Sequence, residues 1–189
     1  MVRQKRYALN KTKYLLEPEV ERLEEILFRF QSVSERDCLL LELALNTGAR
    51  AQELLNITKL DLDLYHRTVL IRGLKGSNDR ELPLRTDLFD RLWRHSERQV
   101  ESVLFNFTYN RFRQIWDQFR PVPKKLHSLR HTFAIRLYKR TRDLRLVQVA
   151  LGHRNIANTM VYADYVYSQD ELRRLIVEPK TKRRRPLEL

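Results

Sequence analysis

His127-Ser128-Leu129-Arg130-His131, then Leu151-Gly152-His153, then Tyr162 nine residues beyond that histidine: this stretch decides how the chain is read. Two histidines, an arginine and a tyrosine at these separations suit phosphate chemistry. Arg130 can fork two N–H donors onto phosphate oxygens. His127 and Arg130 stand at i and i+3, so a helix puts them on one face. Tyr162 follows a glycine-marked turn, from which a side chain can swing back to that face. Upstream, Thr47-Gly48-Ala49-Arg50 offers a second arginine, with Glu53 three residues on. Lys75 falls between the two arginines, in a predicted hairpin. Taken singly, each of these residues has a plain structural reading. A helical histidine is usually packed, and a lysine at a hairpin tip is usually just solvated. Tyr165 and Tyr167 compete with Tyr162, and the spacing from Leu151-Gly152-His153 favours Tyr162.

Working outward, 189 residues suffice for one domain with a real core. Lys and Arg number 37 against 24 Asp and Glu, a net charge of +13 that implies a polyanionic partner. No apolar run is long enough to span a membrane and no signal-peptide pattern opens the chain, which favours nucleic acid over a membrane surface. Cys38 is the one cysteine. It excludes an intrachain disulfide, argues against a cysteine-based metal site, and reads as a buried residue in a reducing cytoplasm. The basic charge gathers at both ends. Residues 1–16 hold five basic residues and no acid; residues 178–189 hold Lys180, Lys182, Arg183, Arg184 and Arg185 against two acids. Both ends read as basic arms that DNA would order.

The pattern between them is mainly helical. A helix opens at Pro18 with an apolar stripe through Val20, Leu23, Ile26, Leu27 and Phe30. A second, capped by Ser34, stops at Gly48, and a short third runs from Arg50 to Leu55. Leu60–Leu62 reads as strand or turn. Thr68–Ile71 and Glu81–Leu84 read as strands around a turn marked by Gly73, Gly76, Ser77 and Asn78, giving a small antiparallel sheet with Lys75 near its tip. Further helices are expected from Thr86, from Thr108 to Pro121, from His127 to Lys139 as the central helix, from Leu144 to Gly152, around Ala157, and from Ser168 through Leu172, Leu175 and Ile176. Phe112 and Trp116 read as core rather than base-stacking residues. His131 reads as packing or as a supporting hydrogen bond. Arg80, on the returning strand, reads as a contact to phosphate backbone.

This set resembles the tyrosine recombinase (phage integrase) family, whose pattern is Arg, Lys, His-x-x-Arg, His, Tyr in that order. The matching positions are Arg50, Lys75, His127, Arg130, His153 and Tyr162, and the resemblance covers roughly residues 14 to 177. It implies an α+β catalytic domain, mainly α with a small antiparallel sheet. It also implies site-specific strand exchange through a covalent 3′-phosphotyrosine, in integration, excision or inversion. Arg50 and Arg130 would hold the phosphate, and Lys75 would be the general acid for the leaving 5′-oxygen. His127 and His153 would bond the phosphate or move the tyrosine's proton, and Tyr162 would be the nucleophile. Two guanidinium groups remove the need for a metal or other cofactor. The expected layout is a basic arm over 1–16, the catalytic domain over 17–177 and a basic tail over 178–189, with Lys182, Arg183, Arg184 and Arg185 along DNA. Expected partners are double-stranded DNA, further copies of the chain from dimer to tetramer, and DNA-bending accessory proteins, in a prokaryotic, phage or mobile-element cytoplasm. Family members commonly carry a helical DNA-binding domain ahead of the catalytic one. This chain is either a piece of such a protein or similar to the short single-domain members that invert fimbrial promoter segments. Rival functions are type IB topoisomerase relaxation and a non-catalytic basic DNA-binding regulator.

Overall fold

The computed structural model describes residues 9–74, 76–100, 102–163, 173, 176 and 177. Lys75, the helix expected from Ser168 apart from those last three positions, and the cluster Lys182, Arg183, Arg184 and Arg185 lie outside the described residues.

Helix α1 spans Glu17–Phe30 and starts as its sequence directs, with Pro18 in the first turn and the Glu19 carboxylate accepting the Leu16 N–H at 2.8 Å. It buries Val20, Leu23 and Leu27. Helix α2, Glu35–Thr47, is the buried axis of the domain and packs on α1, on α3 (Ala51–Leu55), on α4 (Thr86–Arg98) and on α6 (Ser128–Thr141). The sequence pointed to α6 as the central helix. The run Cys38–Leu45 explains the difference: it has no polar face, and its one charged residue, Glu42, is bonded by Arg91 of α4. Cys38 is fully buried, and burial first, then the neighbouring Glu42 and Asp37, pushes its thiol up to about 11.

A 3-10 turn, Lys59–Asp61, leads into β1 (Leu62–Asp63), β2 (Thr68–Ile71) and β3 (Arg80–Pro83). They form an antiparallel sheet in that order, with Val69 opposite Leu82 and Ile71 opposite Arg80. Val69 and Ile71 face the core while Thr68 and Leu70 are half-buried, the alternation a two-residue repeat demands. Helix α5 (Tyr109–Phe119) turns Phe112, Ile115, Trp116 and Phe119 inward, so Phe112 and Trp116 are core residues as read. Helices α7 (Leu144–Leu151) and α8 (Ala157–Met160) complete the described fold.

The core has two parts. The larger lies around α2 and contains Phe89, Phe105, Phe112 and Trp116. The smaller joins Ala134, Ile135 and Leu137 of α6 to Val147, Ala150 and Leu151 of α7, and it includes Leu9, Tyr14 and Tyr162. Residues 9–16 therefore differ from a free arm. Leu9, Tyr14 and Leu15 are buried, and the Leu15 N–H donates to the Thr132 hydroxyl of α6 at 2.8 Å. Apolar burial of this kind contributes roughly 1.5–3 kcal/mol per large side chain, enough to outweigh the positive charge of the flanking Lys11 and Lys13.

Candidate active site

Two helix ends build the site. Helix α2 stops at Gly48 and α7 at Gly152, both in the left-handed conformation, with φ of +59° and +69°. A Cβ at Gly48 would lie 2.4 Å from Phe133, and one at Gly152 would lie 2.6 Å from the Asn78 carbonyl. These two turns bring carbonyl oxygens to Arg130. Its Nη1 donates to Gly48 O at 2.6 Å and its Nη2 to Leu151 O at 2.9 Å. Nη2 is also 3.0 Å from His153 Nε2. Arg130 is 3% exposed and sits one turn into α6, directly beneath His127 at that helix's N-terminus. Burial, and then the charge of Arg50, lower its pKa to about 10, which leaves it a cation at neutral pH.

Arg50 occupies the cap position of α3. Its backbone N–H donates to Glu53 Oε2 at 2.9 Å, and its Nη1 donates to Glu53 Oε1 at 3.0 Å and to Ser77 Oγ at 2.6 Å. Glu53 is buried. Burial alone would raise its pKa, but bonds from Arg80 and Arg50 and the charges of Arg80 and Arg130 hold it below the ordinary carboxylate range. Arg50, Glu53, His127 and Arg130 line one cavity of about 370 Å³, whose other wall is apolar and includes Leu54, Leu74, Phe112 and Leu126.

The three histidines around Arg130, namely His127, His131 and His153, are held in the neutral form. The pKa of His127 is pushed down to about 4 by loss of water around the ring and then by Arg130 and Arg50. Its residue surface is open to solvent, and the two guanidinium groups disfavour a proton on the ring. His153 falls to about 4 and His131 to about 3, both by burial first and nearby positive charge second. In His153, Nε2 accepts from Arg130, so Nδ1 carries the proton and donates to Thr159 Oγ1 at 2.9 Å. Neutral imidazoles, two guanidinium groups and the Glu53 carboxylate leave the pocket with a net positive charge, which suits an anionic group.

Tyr162 is set apart from this pocket. It is 2% exposed, within the smaller core, and its hydroxyl lies 3.1 Å from His131 Nδ1. The two side chains share one hydrogen bond there, whose donor is set by the tautomer of the His131 ring. The His131 ring in turn meets the His127 ring edge-on at 4.7 Å between centroids. The structure thus brings Arg50, His127, Arg130 and His153 together, and holds Tyr162 on the neighbouring histidine of the same helix.

Arg80 requires a correction. Its side chain is 2% exposed, so it does not reach the surface to meet DNA. It donates from Nε to Ala150 O at 2.9 Å and from Nη2 to Glu53 Oε2 at 2.7 Å. The alternation of β3 turns it inward, where a buried carboxylate holds its charge. Ser77, Thr159 and Gln148 were not singled out from the sequence. The hydroxyls of Ser77 and Thr159 touch Arg50 and His153, and Gln148 donates to His153 O at 2.9 Å. A turn serine and a helical threonine carry no signature; only the fold gives them partners.

The described residues form a mainly helical domain whose helix ends present two arginines and two histidines, with a small antiparallel sheet at its side. The phage integrase family model matches residues 13–169, and the chain belongs to that family. Among curated relatives, it is 34% identical over 171 residues to tyrosine recombinase XerC of Bacillus subtilis (strain 168), covering 79% of this chain and 56% of that one. It is 30% identical over 164 residues to tyrosine recombinase XerA of Thermococcus kodakarensis, covering 79% and 57%. The chain therefore spans little more than half the length of these relatives. Among solved structures, XerH site-specific recombinase bound to palindromic difH substrate in a post-cleavage complex aligns with a TM-score of 0.70 at 26% identity, over 88% of this chain and 53% of that one. The catalytic domain of bacteriophage HP1 integrase aligns with a TM-score of 0.64 at 26% identity, over 90% and 97%.

Proposed function

We propose that this chain is the catalytic domain of a site-specific DNA recombinase that cleaves and rejoins strands through a 3′-phosphotyrosine. The observation that carries this reading is the convergence of Arg50, Arg130 and His127 on one open pocket, with His153 bonded to Arg130 and Tyr162 bonded to His131 on the helix that carries Arg130. A scissile phosphate in the pocket competes for Arg130 Nη2, now shared between Leu151 O and His153. Its non-bridging oxygens take N–H donors from both guanidinium groups. The phosphate's negative charge raises the pKa values of His127 and His153 from about 4 and lets them donate too. Tyr162, once clear of His131, attacks phosphorus. The Tyr–O–P bond forms, the P–O5′ bond breaks, the phenol proton passes to a histidine, and Lys75 protonates the leaving 5′-oxygen. A second 5′-hydroxyl reverses these steps on a new partner, so no nucleotide energy is spent. Most of the acceleration is assigned to the preorganised cations, because the charge develops on the phosphoryl oxygens.

Residues 17–177 form the catalytic unit in this reading. The two basic ends, with Lys182, Arg183, Arg184 and Arg185, track DNA backbone. Protomers pair as dimers to tetramers on two sites, with DNA-bending proteins assisting. Such a protein works in a cytoplasm.

The test uses the protein with a randomised duplex library bearing single nicks, in excess EDTA. Adducts that survive denaturation are isolated, their DNA sequenced and the modified peptide identified by mass. An adduct on Tyr162 is expected, enriched for one sequence. DNA binding without any adduct across the library, or an adduct on Tyr165 or Tyr167, overturns the reading. Joining between two different DNA molecules separates recombination from relaxation.

A further inference from the structure

We propose that Ser77 is a positioning residue for Arg50, locking the β2–β3 turn, the phosphate-binding arginine and the His153 turn into one unit. The proposal rests on the catalytic reading above. Ser77 is 5% exposed and its hydroxyl sits between three parts of the chain that are far apart in sequence. It accepts from Arg50 Nη1 at 2.6 Å and donates to Gly152 O at 3.0 Å. The one hydroxyl proton is committed to Gly152, so its lone pairs face the guanidinium, and the polarity of the contact is fixed. The backbone agrees: Asn78 N–H also donates to Gly152 O, at 2.9 Å, and Ser77 pairs with His153 in an isolated antiparallel bridge. Glycine suits position 152 because φ is +69° and a Cβ there would stand 2.6 Å from Asn78 O, with Ser77 Oγ at 3.0 Å.

The consequence for Arg50 is geometric. Nη1 has two acceptors, Glu53 Oε1 and Ser77 Oγ. Glu53 is itself fixed by Arg80, so the two acceptors clamp one edge of a planar guanidinium and set the plane of the whole group. The side chain of Arg50 remains 39% exposed, and that open edge is what a phosphate meets. Without the Ser77 oxygen, Glu53 alone holds Nη1, and the plane can rotate about a single carboxylate. A misplacement of that kind costs rate more than affinity, because the arginine must match the transition state rather than merely attract DNA.

The experiment measures single-turnover cleavage of the nicked duplex recovered on Tyr162, with wild type, Ser77→Ala, Ser77→Cys and Ser77→Thr. Cysteine nearly keeps the size of serine but accepts hydrogen bonds weakly, so it tests the oxygen if the alanine variant does not fold. Alanine and cysteine are expected to slow cleavage roughly 10- to 100-fold, the scale of a lost bond to a charged group. DNA affinity should stay within about threefold, since the charge of Arg50 is kept, and threonine should restore the rate. Two modified substrates locate the defect. A 5′-bridging phosphorothiolate relieves a fault in leaving-group protonation, so the Ser77 defect should persist on it. A methylphosphonate at the scissile position removes one negative charge from the group Arg50 serves, so the defect should shrink. The proposal is overturned if folded alanine and cysteine variants cleave like wild type. It is equally overturned if the phosphorothiolate abolishes the defect, or if binding weakens as much as cleavage. Absence of any wild-type adduct would instead sink the catalytic reading, and this inference with it.

Discussion

The phosphate pocket and the tyrosine are held by opposite means. Around Arg50 and Arg130, polar contacts are already made: Gly48 O, Leu151 O, Glu53 and Ser77 fix both guanidinium groups before any ligand arrives. Tyr162 is instead buried in the smaller core, which also holds Leu137, Val147 and Leu151, with its hydroxyl on His131. The difference teaches where energy must be supplied. Ordering the cations has been done by folding, whereas moving Tyr162 to a phosphate forfeits its burial and one hydrogen bond, on the order of 2–3 kcal/mol. An outward tyrosine is then about one molecule in a hundred without DNA. In the proposed reaction DNA must favour that state by its own contacts.

The largest expected effect breaks the tyrosine side of this comparison. Tyr162→Phe keeps nearly all the volume buried in the smaller core and removes only the hydroxyl. No covalent adduct should form, while gel-shift affinity and melting temperature stay near wild type. An adduct persisting in this variant would separate Tyr162 from the chemistry.

Next comes the pocket side. Arg130→Lys retains charge but cannot reach Gly48 O, Leu151 O and a phosphate at once, because an ammonium lacks the planar fork. Cleavage should fall by roughly 10³–10⁵, the scale seen when an arginine serving a phosphoryl group is lost. The melting temperature should fall as well, since two buried carbonyls lose their donors. A lysine variant that cleaves at wild-type rate would mean that Arg130 supplies charge alone.

Lys75→Ala ranks third. General acid catalysis contributes typically 10²–10⁴, and that slowing is expected on ordinary DNA. The 5′-bridging phosphorothiolate should recover most of it. Equal slowing on both substrates would assign the acid to another group.

Legibility followed the same division. The polar pocket announced itself because arginine, histidine and glycine stand at fixed steps, and each step has a geometric cause. Gly48 and Gly152 end helices so that the next few residues, Arg50 and His153, emerge beside the N-terminal turn of α6. The buried α2 was legible as a helix but not as the axis, since an apolar run fits either role until its neighbours are known. Arg80 was misplaced because an arginine on a short strand reads as exposed until a buried Glu53 is found opposite it. Residues 9–16 misled for a related reason: lysines between Leu9, Tyr14 and Leu15 drew attention to charge, and three apolar side chains decided the packing. The position of Tyr162 could not be read at all. Spacing favours Tyr162 over Tyr165 and Tyr167, which lie outside the described residues, but whether Tyr162 faces phosphate or core depends on a few kcal/mol.

The smallest expected effect concerns pH and the ring that holds the tyrosine. His131, His127 and His153 have folded pKa values of about 3, 4 and 4, below the ordinary histidine value of 6.5. A lowered folded value means the unfolded chain binds the proton first as pH falls. Stability from these neutral rings is therefore full above about pH 6.5 and is lost progressively as pH drops towards 4. The melting temperature without DNA should decline over that window. His131 should contribute most, since it is the most strongly lowered and faces His127, Arg130, Lys13 and His153 as well as Tyr162. Replacing it with Gln keeps a polar group beside the Tyr162 hydroxyl but removes the titration. His131→Gln should flatten the decline between pH 6.5 and 4 while leaving the melting temperature at pH 8 within a few degrees. Bound DNA should flatten it further in the wild type, because a phosphate beside His127 and His153 raises their pKa values towards the ordinary one. An unchanged slope in the Gln variant would place the acid sensitivity elsewhere and remove His131 as the group that keeps Tyr162 indoors.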